Sequence, residues 1–185
     1  LKDMLAAVRA QTDRSWEWLV VAPDATQLRA AASEARIRLI QAPDADTHVA
    51  AARALADARG EFVGFLAPGD ILAPTALAAV ASVLADDVDA VSTDSDTLVG
   101  PRRFADRFEK PIWSPERLLG HEYLAHLLLL RRALVADIGG LRAEFGGAAE
   151  HDLALRVTER ARRVVHVPEP LCHRLAPVAD ADAVA

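Results

Sequence analysis

The tightest constraint on this chain is a stretch that changes character within a dozen residues. Glu61-Phe62-Val63-Gly64-Phe65-Leu66 is a nearly unbroken apolar run, the pattern of a strand covered on both faces of a sheet. Pro68-Gly69 then forces a turn, and Asp70 offers one carboxylate past the strand's carboxyl end. Open α/β sheets collect their ligands at that edge. The same carboxylate would serve equally well as a helix cap, so its surroundings must decide.

Those surroundings alternate. Met4, Leu5 and Val8 recur at helical spacing, so residues 2–11 should be an amphipathic helix. Strands are predicted at 16–21, 37–40, 61–66 and 89–93, and helices at 27–35, 48–58 and from Pro74 onward. Asp46-Thr47 and Pro74 suit helix starts, and Gly60 suits a stop. Strand and helix in turn, with short joins, predict a mostly parallel central sheet flanked by helices. From about Asp96 the style changes: 97–115 reads as loop. A short helix follows from Ser114-Pro115, then a strand at 127–130 and a helix at 132–138 stopped by Gly139-Gly140. Phe145-Gly146-Gly147 reads as a turn, 150–161 as a helix and 164–167 as a last strand. One domain over 1–175 and a weakly patterned tail over 176–185 account for the chain.

Composition narrows function. Hydrophobic residues are 52% and charged residues 26%, as in globular chains, and a net charge of −6 disfavours nucleic acid as a partner. Lysine occurs only as Lys2 and Lys110, so an anion site would use guanidinium or backbone donors. A single cysteine, Cys172, leaves no intrachain disulfide and fits a reducing compartment. No signal peptide is evident and the longest apolar run is too short to span a bilayer, so the cytoplasm is the expected location.

Three acidic groupings follow strand or turn ends: Asp70, Thr93-Asp94-Ser95-Asp96 and Glu150-His151-Asp152. Each has an ordinary structural explanation, as turn former or as a first-turn acid favoured by the helix dipole. Their shared placement lets them converge on one cleft. Of the histidines, His173 after the last strand is the best ligand candidate, though a backbone-satisfied histidine explains it as well. Neither a glycine-rich phosphate loop nor a nucleophile with a partnered base is visible.

Taken in order, the landmarks resemble a family-2-type inverting glycosyltransferase domain of the GT-A fold. They are Gln11-Thr12 with Trp16-Glu17-Trp18-Leu19-Val20-Val21; Arg59-Gly60-Glu61-Phe62-Val63; Asp70-Ile71-Leu72-Ala73-Pro74; and Thr93-Asp94-Ser95-Asp96. Lys110-Pro111-Ile112-Trp113-Ser114-Pro115, Gly139-Gly140-Leu141-Arg142, Glu150-His151-Asp152 and Pro170-Leu171-Cys172-His173-Arg174 complete them.

The resemblance implies a nucleotide-diphospho-sugar transferase fold and transfer of a sugar from a nucleotide-diphosphate donor to an acceptor hydroxyl. It implies Mg²⁺ or Mn²⁺ at an Asp-x-Asp motif whose last aspartate is Asp70, with His173 beside the metal. It makes Glu150 the base, and Asp24, Asp70, Asp94 and Asp96 donor-binding residues. Lys110 and Trp113 fall on the acceptor side. The acceptor would be a polysaccharide, a lipid-linked glycan or a protein, with peripheral membrane association through other regions at the inner face.

The departures from the family pattern are specific. Ala67 and Gly69 stand where the metal motif's earlier acids belong, and Ala22-Pro23-Asp24-Ala25 stands where acids hold the nucleotide base, with only a shifted Asp24 able to substitute. The family's first strand has no counterpart here, which predicts further chain upstream of Leu1. A catalytically degenerate domain acting as a scaffold or interaction module is therefore the alternative.

Overall fold

The computed structural model describes residues 1–22, 35–42, 46–101 and 103–176. Asp24, the helix expected at 27–35 and the tail beyond 176 lie outside the described residues. In chain order the elements are α1 (Lys2–Arg9), β1 (Trp18–Ala22), β2 (Ile37–Gln41), α2 (Thr47–Asp57), β3 (Phe62–Gly64), β4 (Asp70–Leu72) and α3 (Ala76–Ala81). Then follow β5 (Ala90–Gly100), β6 (Arg103–Phe108), α4 (Pro115–Gly120), β7 (Leu128–Arg131), α5 (Arg132–Asp137), α6 (Ala149–Arg160) and β8 (Val164–Leu175). Two of the expected helix starts are capped, Asp46 accepting from the His48 amide at 2.8 Å and Ser114 capping α4 ahead of Pro115, whereas α3 begins at Ala76, past Pro74, and α2 ends at Asp57, short of Gly60.

The architecture is α/β, and its central sheet is mixed rather than mostly parallel. β5 runs parallel to β8, and β1 parallel to β2. The pairs β3–β7, β4–β8, β5–β7 and β5–β6 are antiparallel. The correction has a local cause. The stretch expected as loop holds a hairpin, with β5 continuing to Gly100 and β6 returning at once, and a tight return can only be antiparallel. The main sheet runs in the order β3-β7-β5-β8-β4, and β1 and β2 form a two-stranded sheet of their own. The Glu17 carboxylate joins the two bodies by accepting from the amides of Arg59 and Gly60.

β5 is buried on both faces. Val91 packs with Val8, Ala76 and Val80 from α1 and α3, while its neighbour Ala90 packs with Val135, Leu153 and Val157 from α5 and α6. Successive strand side chains point to opposite faces, so helices cover both sides of the sheet. Gln11 locks α1 to the start of α3, donating to the Ala73 carbonyl at 2.7 Å and accepting from the Leu77 amide at 2.9 Å.

At one end of β5, buried Asp89 accepts from Arg162 and Arg131. The Arg162 hydrogen bonds are the largest cause holding its carboxyl down, from 3.8 to about 2, against the cost of burial. A depressed carboxyl stabilises the fold above its unfolded value and loses that contribution as pH falls through the folded one. Asp89→Asn should therefore cost about 2 kcal/mol at neutral pH. The difference from wild type, read from urea midpoints, should shrink between pH 4 and pH 2.

β3 and β7 approach closely at Gly64. A Cβ there would stand 2.6 Å from Leu129 Cδ2 and 2.7 Å from the Leu128 carbonyl oxygen, and the carbonyl cannot step aside. Gly64→Ala is expected to cost about 1–3 kcal/mol through overpacking, read as a lower denaturation midpoint with an unchanged slope.

Candidate functional site

Asp70 is the first residue of β4, paired antiparallel with β8, rather than a loop residue after β3. The chain leaves β3 at Gly64, turns through Pro68-Gly69 with Gly69 at φ 98°, and re-enters the sheet at its far edge. The Asp70 side chain is 4% exposed. Its Oδ2 accepts from the Ala67 amide at 3.0 Å, and its Oδ1 lies 3.2 Å from His126 Nδ1.

His126 was not among the residues expected in the site. Nothing in its sequence surroundings marks it, because its position depends on backbone shape. His126 and Leu127 both adopt left-handed conformations, with φ 62° and 61°, each costing on the order of 1 kcal/mol or more. Lys110 holds them there. Its ammonium donates to the carbonyls of Leu124 and His126 at 3.2 Å each, and to that of Ala125 between them.

Lys110 is 5% exposed, and its own amide donates to Asp94 Oδ1 at 2.9 Å. Burial lowers the ammonium's pKa to about 8, opposed by the charges of Cys172, Asp94 and Asp70. The expectation that Lys110 faces an acceptor is thus corrected: a lysine with three donors on buried carbonyls is a pin. Trp113, its companion in that expectation, packs partly buried against Leu118, Tyr123, Leu124 and Ala154.

Glu150 stands in the first turn of α6 and lines a small pocket with Glu122, His126, Phe65 and Leu128. Although the residue keeps an exposed face, desolvation raises its carboxyl above the ordinary range, helped by the charges of Glu122 and Asp70. Glu122, also absent from the sequence reading, is raised in the same way by burial, against the pull of His151, His126 and His121. A wider cleft of about 430 Å³ adjoins, sharing Glu122 and His126 and lined further by Ser95, Arg107, Phe108 and Arg174. The guanidinium groups expected of an anion site are therefore present at its wall.

The other acids are satisfied internally. Asp94 meets His166 Nε2 at 3.0 Å and Arg107 at 3.5 Å, and Asp96 meets His173 Nδ1 at 2.6 Å. Both are buried, so neither carboxylate is displayed in the cleft, whereas Ser95 between them is. Asp152 is held by Arg142 and Arg156, and Arg156 also binds the carbonyls of Ile138 and Gly140. It braces the glycine turn against α6.

His173 does not join Asp70. In the β4–β8 register Asp70 faces Arg174, and His173 faces Ile71. Directly opposed residues share a face and neighbours alternate, so Asp70 and His173 project from opposite sides of the sheet. The expected Asp70–His173 metal pair is corrected accordingly. The register brings Cys172, not His173, to the face of Asp70. Among the described residues, one group has metal-ligating atoms within 4.8 Å of one another: Asp70, His126 and Cys172. Mg²⁺ demands a shell of oxygens, and this group supplies one carboxylate, one imidazole and one thiol. It does not fit Mg²⁺.

Comparison with models of known protein families finds no match. The chain is 40% identical over 183 residues to the O-antigen biosynthesis protein RfbC of Myxococcus xanthus, covering 94% of this chain and 14% of the relative. It is 34% identical over 185 residues to the uncharacterized protein y4gI of Sinorhizobium fredii, covering 92% of this chain and 20% of the relative. The chain thus spans a fifth or less of the curated relatives it matches. Crystal structures of S. aureus TarS 1-349 share the fold. The complex with UDP has a TM-score of 0.73 and that with UDP-GlcNAc 0.74, at 18% identity, over 95% of this chain and 56% and 54% of theirs. Among the described residues no helix is long and apolar enough to cross a membrane. In architecture the chain has the GT-A-like fold that its ordered landmarks led us to expect.

Proposed function

We propose that the domain transfers a sugar from a nucleotide-diphosphate donor to an acceptor hydroxyl in polysaccharide biosynthesis, with inversion at the anomeric carbon. The observation that carries this reading is the pocket in which Glu150, its carboxyl raised by desolvation and by Glu122, stands beside the Asp70–His126 pair. A carboxylate of raised basicity is suited to taking a hydroxyl proton. As the acceptor oxygen forms its bond to the anomeric carbon, the bond to the diphosphate breaks on the opposite side. The electron pair leaves with the diphosphate and the proton rests on Glu150. Arg107 and Arg174, at the wall of the adjoining cleft, are placed to neutralise the departing charge. Relatives and neighbours support the substrate class: one is named for O-antigen biosynthesis, others were crystallised with UDP and UDP-GlcNAc. In the same reading the acceptor is a hydroxyl of a polysaccharide, a lipid-linked glycan or a protein.

A second reading, a scaffold that no longer binds a donor, draws on the Asp70–Ala67 hydrogen bond. There the carboxylate stiffens its own turn in a motif lacking acids at Ala67 and Gly69. Calorimetric titration with UDP- and GDP-sugars separates the two. Saturable binding that weakens at least tenfold in Arg174→Ala supports the transferase, and no binding by the folded, full-length natural protein sinks it.

A further inference from the structure

The face-sharing of Asp70 and Cys172 with the strained loop at His126 assembles three donors, of which the transferase reading gives Cys172 no role. We propose that Asp70, His126 and Cys172 form a binding site for one borderline-soft divalent cation, of which Zn²⁺ is the representative and Mg²⁺ is not. The donor atoms come from three separate elements, β4, β8 and the loop before β7, and lie within 4.8 Å of one another. Asp70 Oδ1 and His126 Nδ1 are 3.2 Å apart, a separation that two ligands of one tetrahedral ion adopt when each sits about 2 Å from it.

Carboxylate, imidazole and thiolate together form the ligand chemistry of zinc rather than of oxygen-seeking ions. Three protein ligands also leave a fourth position open, and the partly exposed imidazole of His126, 28% accessible against 4% for Asp70, marks the open side.

The surroundings supply what an N/O/S site needs beyond its ligands. The outer partners of metal ligands fix their orientation. Here the Ala67 amide holds Asp70 Oδ2, and Lys110 grips the carbonyl of His126 itself. Cys172 is wholly buried in the sheet, so its sulfur is shielded from oxidants and from other thiols. When the metal–sulfur bond forms, the thiol proton passes to solvent and the thiolate electron pair to the metal. With Asp70 and the thiolate at −1 each and the Lys110 ammonium nearby at +1, the ion enters a pocket of net charge −1. The inference stands apart from the transferase reading, because metal affinity is measured without any sugar nucleotide.

Cobalt(II) titration of the full chain, kept reduced, tests it. A thiolate ligand gives Co²⁺ an intense near-ultraviolet charge-transfer band that oxygen and nitrogen ligands do not. The expected result is one equivalent of Co²⁺ bound with that band, displaced by Zn²⁺ and untouched by excess Mg²⁺. Cys172→Ser should remove the band. His126→Ala should weaken Co²⁺ affinity at least about tenfold, the least that losing even an outer-shell partner costs. His173→Ala, on the opposite face, should leave band and affinity unchanged. Circular dichroism confirms that each variant is folded. Absence of Co²⁺ binding by the folded wild type overturns the site, as does a band surviving in Cys172→Ser or one lost in His173→Ala.

Discussion

Glu150→Gln should lower turnover by roughly 10²–10⁴-fold while leaving donor affinity within about twofold of wild type. The amide occupies the same space in the first turn of α6 but cannot accept the acceptor's proton. The pH profile carries a second signature. The base works only when ionised, so activity falls as pH drops through its raised value. Glu122 is the neighbouring charge that adds to the raising effect of desolvation, so Glu122→Gln should move the acidic limb to lower pH and leave the plateau near wild type. An unchanged acidic limb in Glu122→Gln, or turnover retained in Glu150→Gln, would remove Glu150 from the role of base. Kinetics with a nucleotide-sugar donor and a glycan acceptor over a pH series provide both readings.

Lys110→Met should be the most destabilising single change in the site. Methionine is close to lysine in volume but leaves the carbonyls of Leu124, Ala125 and His126 without their shared donor. A buried polar group stripped of its partner costs about 1–3 kcal/mol, and three carbonyls together should cost about 3–4 kcal/mol after relaxation. Against a total of about 5–15 kcal/mol for a folded domain, that is a large fraction. The left-handed conformations at His126 and Leu127 lose their restraint in the same step. Lys110→Arg should fail to restore stability, because a planar fork cannot reproduce three diverging ammonium donors. Urea denaturation measures both variants, and a Lys110→Met protein as stable as wild type would refute the pin.

Much of the scaffold is legible in the chain, and the reasons for the exceptions are physical. Apolar runs such as Val20-Val21 and Leu128-Leu129-Leu130 announce strands because burial on two faces leaves no room for polar alternation. Thr93-Asp94-Ser95-Asp96-Thr97 announces a turn by composition, yet it is the middle of β5, buried throughout. It stays extended because His166, His173 and the Lys110 amide, all distant in sequence, satisfy its polar groups. β8 is similar. Pro168 and Pro170 suggest that the strand ends at Val167, but β5–β8 register shifts on either side of Asp94 take up the irregularity and pairing resumes to Leu175. Of the site, Asp70 and Glu150 stand out because acids after turns and in first helical turns are visible locally. The exchange of His173 for Cys172 at the Asp70 face depends on a one-residue alternation between strands, which no local pattern reveals.

Among the described residues the small β1–β2 ribbon has only Val20 and Ile37 as the buried centre of its own cluster, and it meets the rest of the domain through Glu17, bonded to the Arg59 and Gly60 amides, and through Trp16 and Trp18, which pack against the main core. With so small a buried centre of its own, the ribbon should open at lower cost than β5 and β8, which stay intact. Amide deuteration should therefore proceed in two tiers, fast at residues 18–22 and 37–41 and slow along the long central pair. The ribbon that opens first is then the leaf, and the long central pair is the spine.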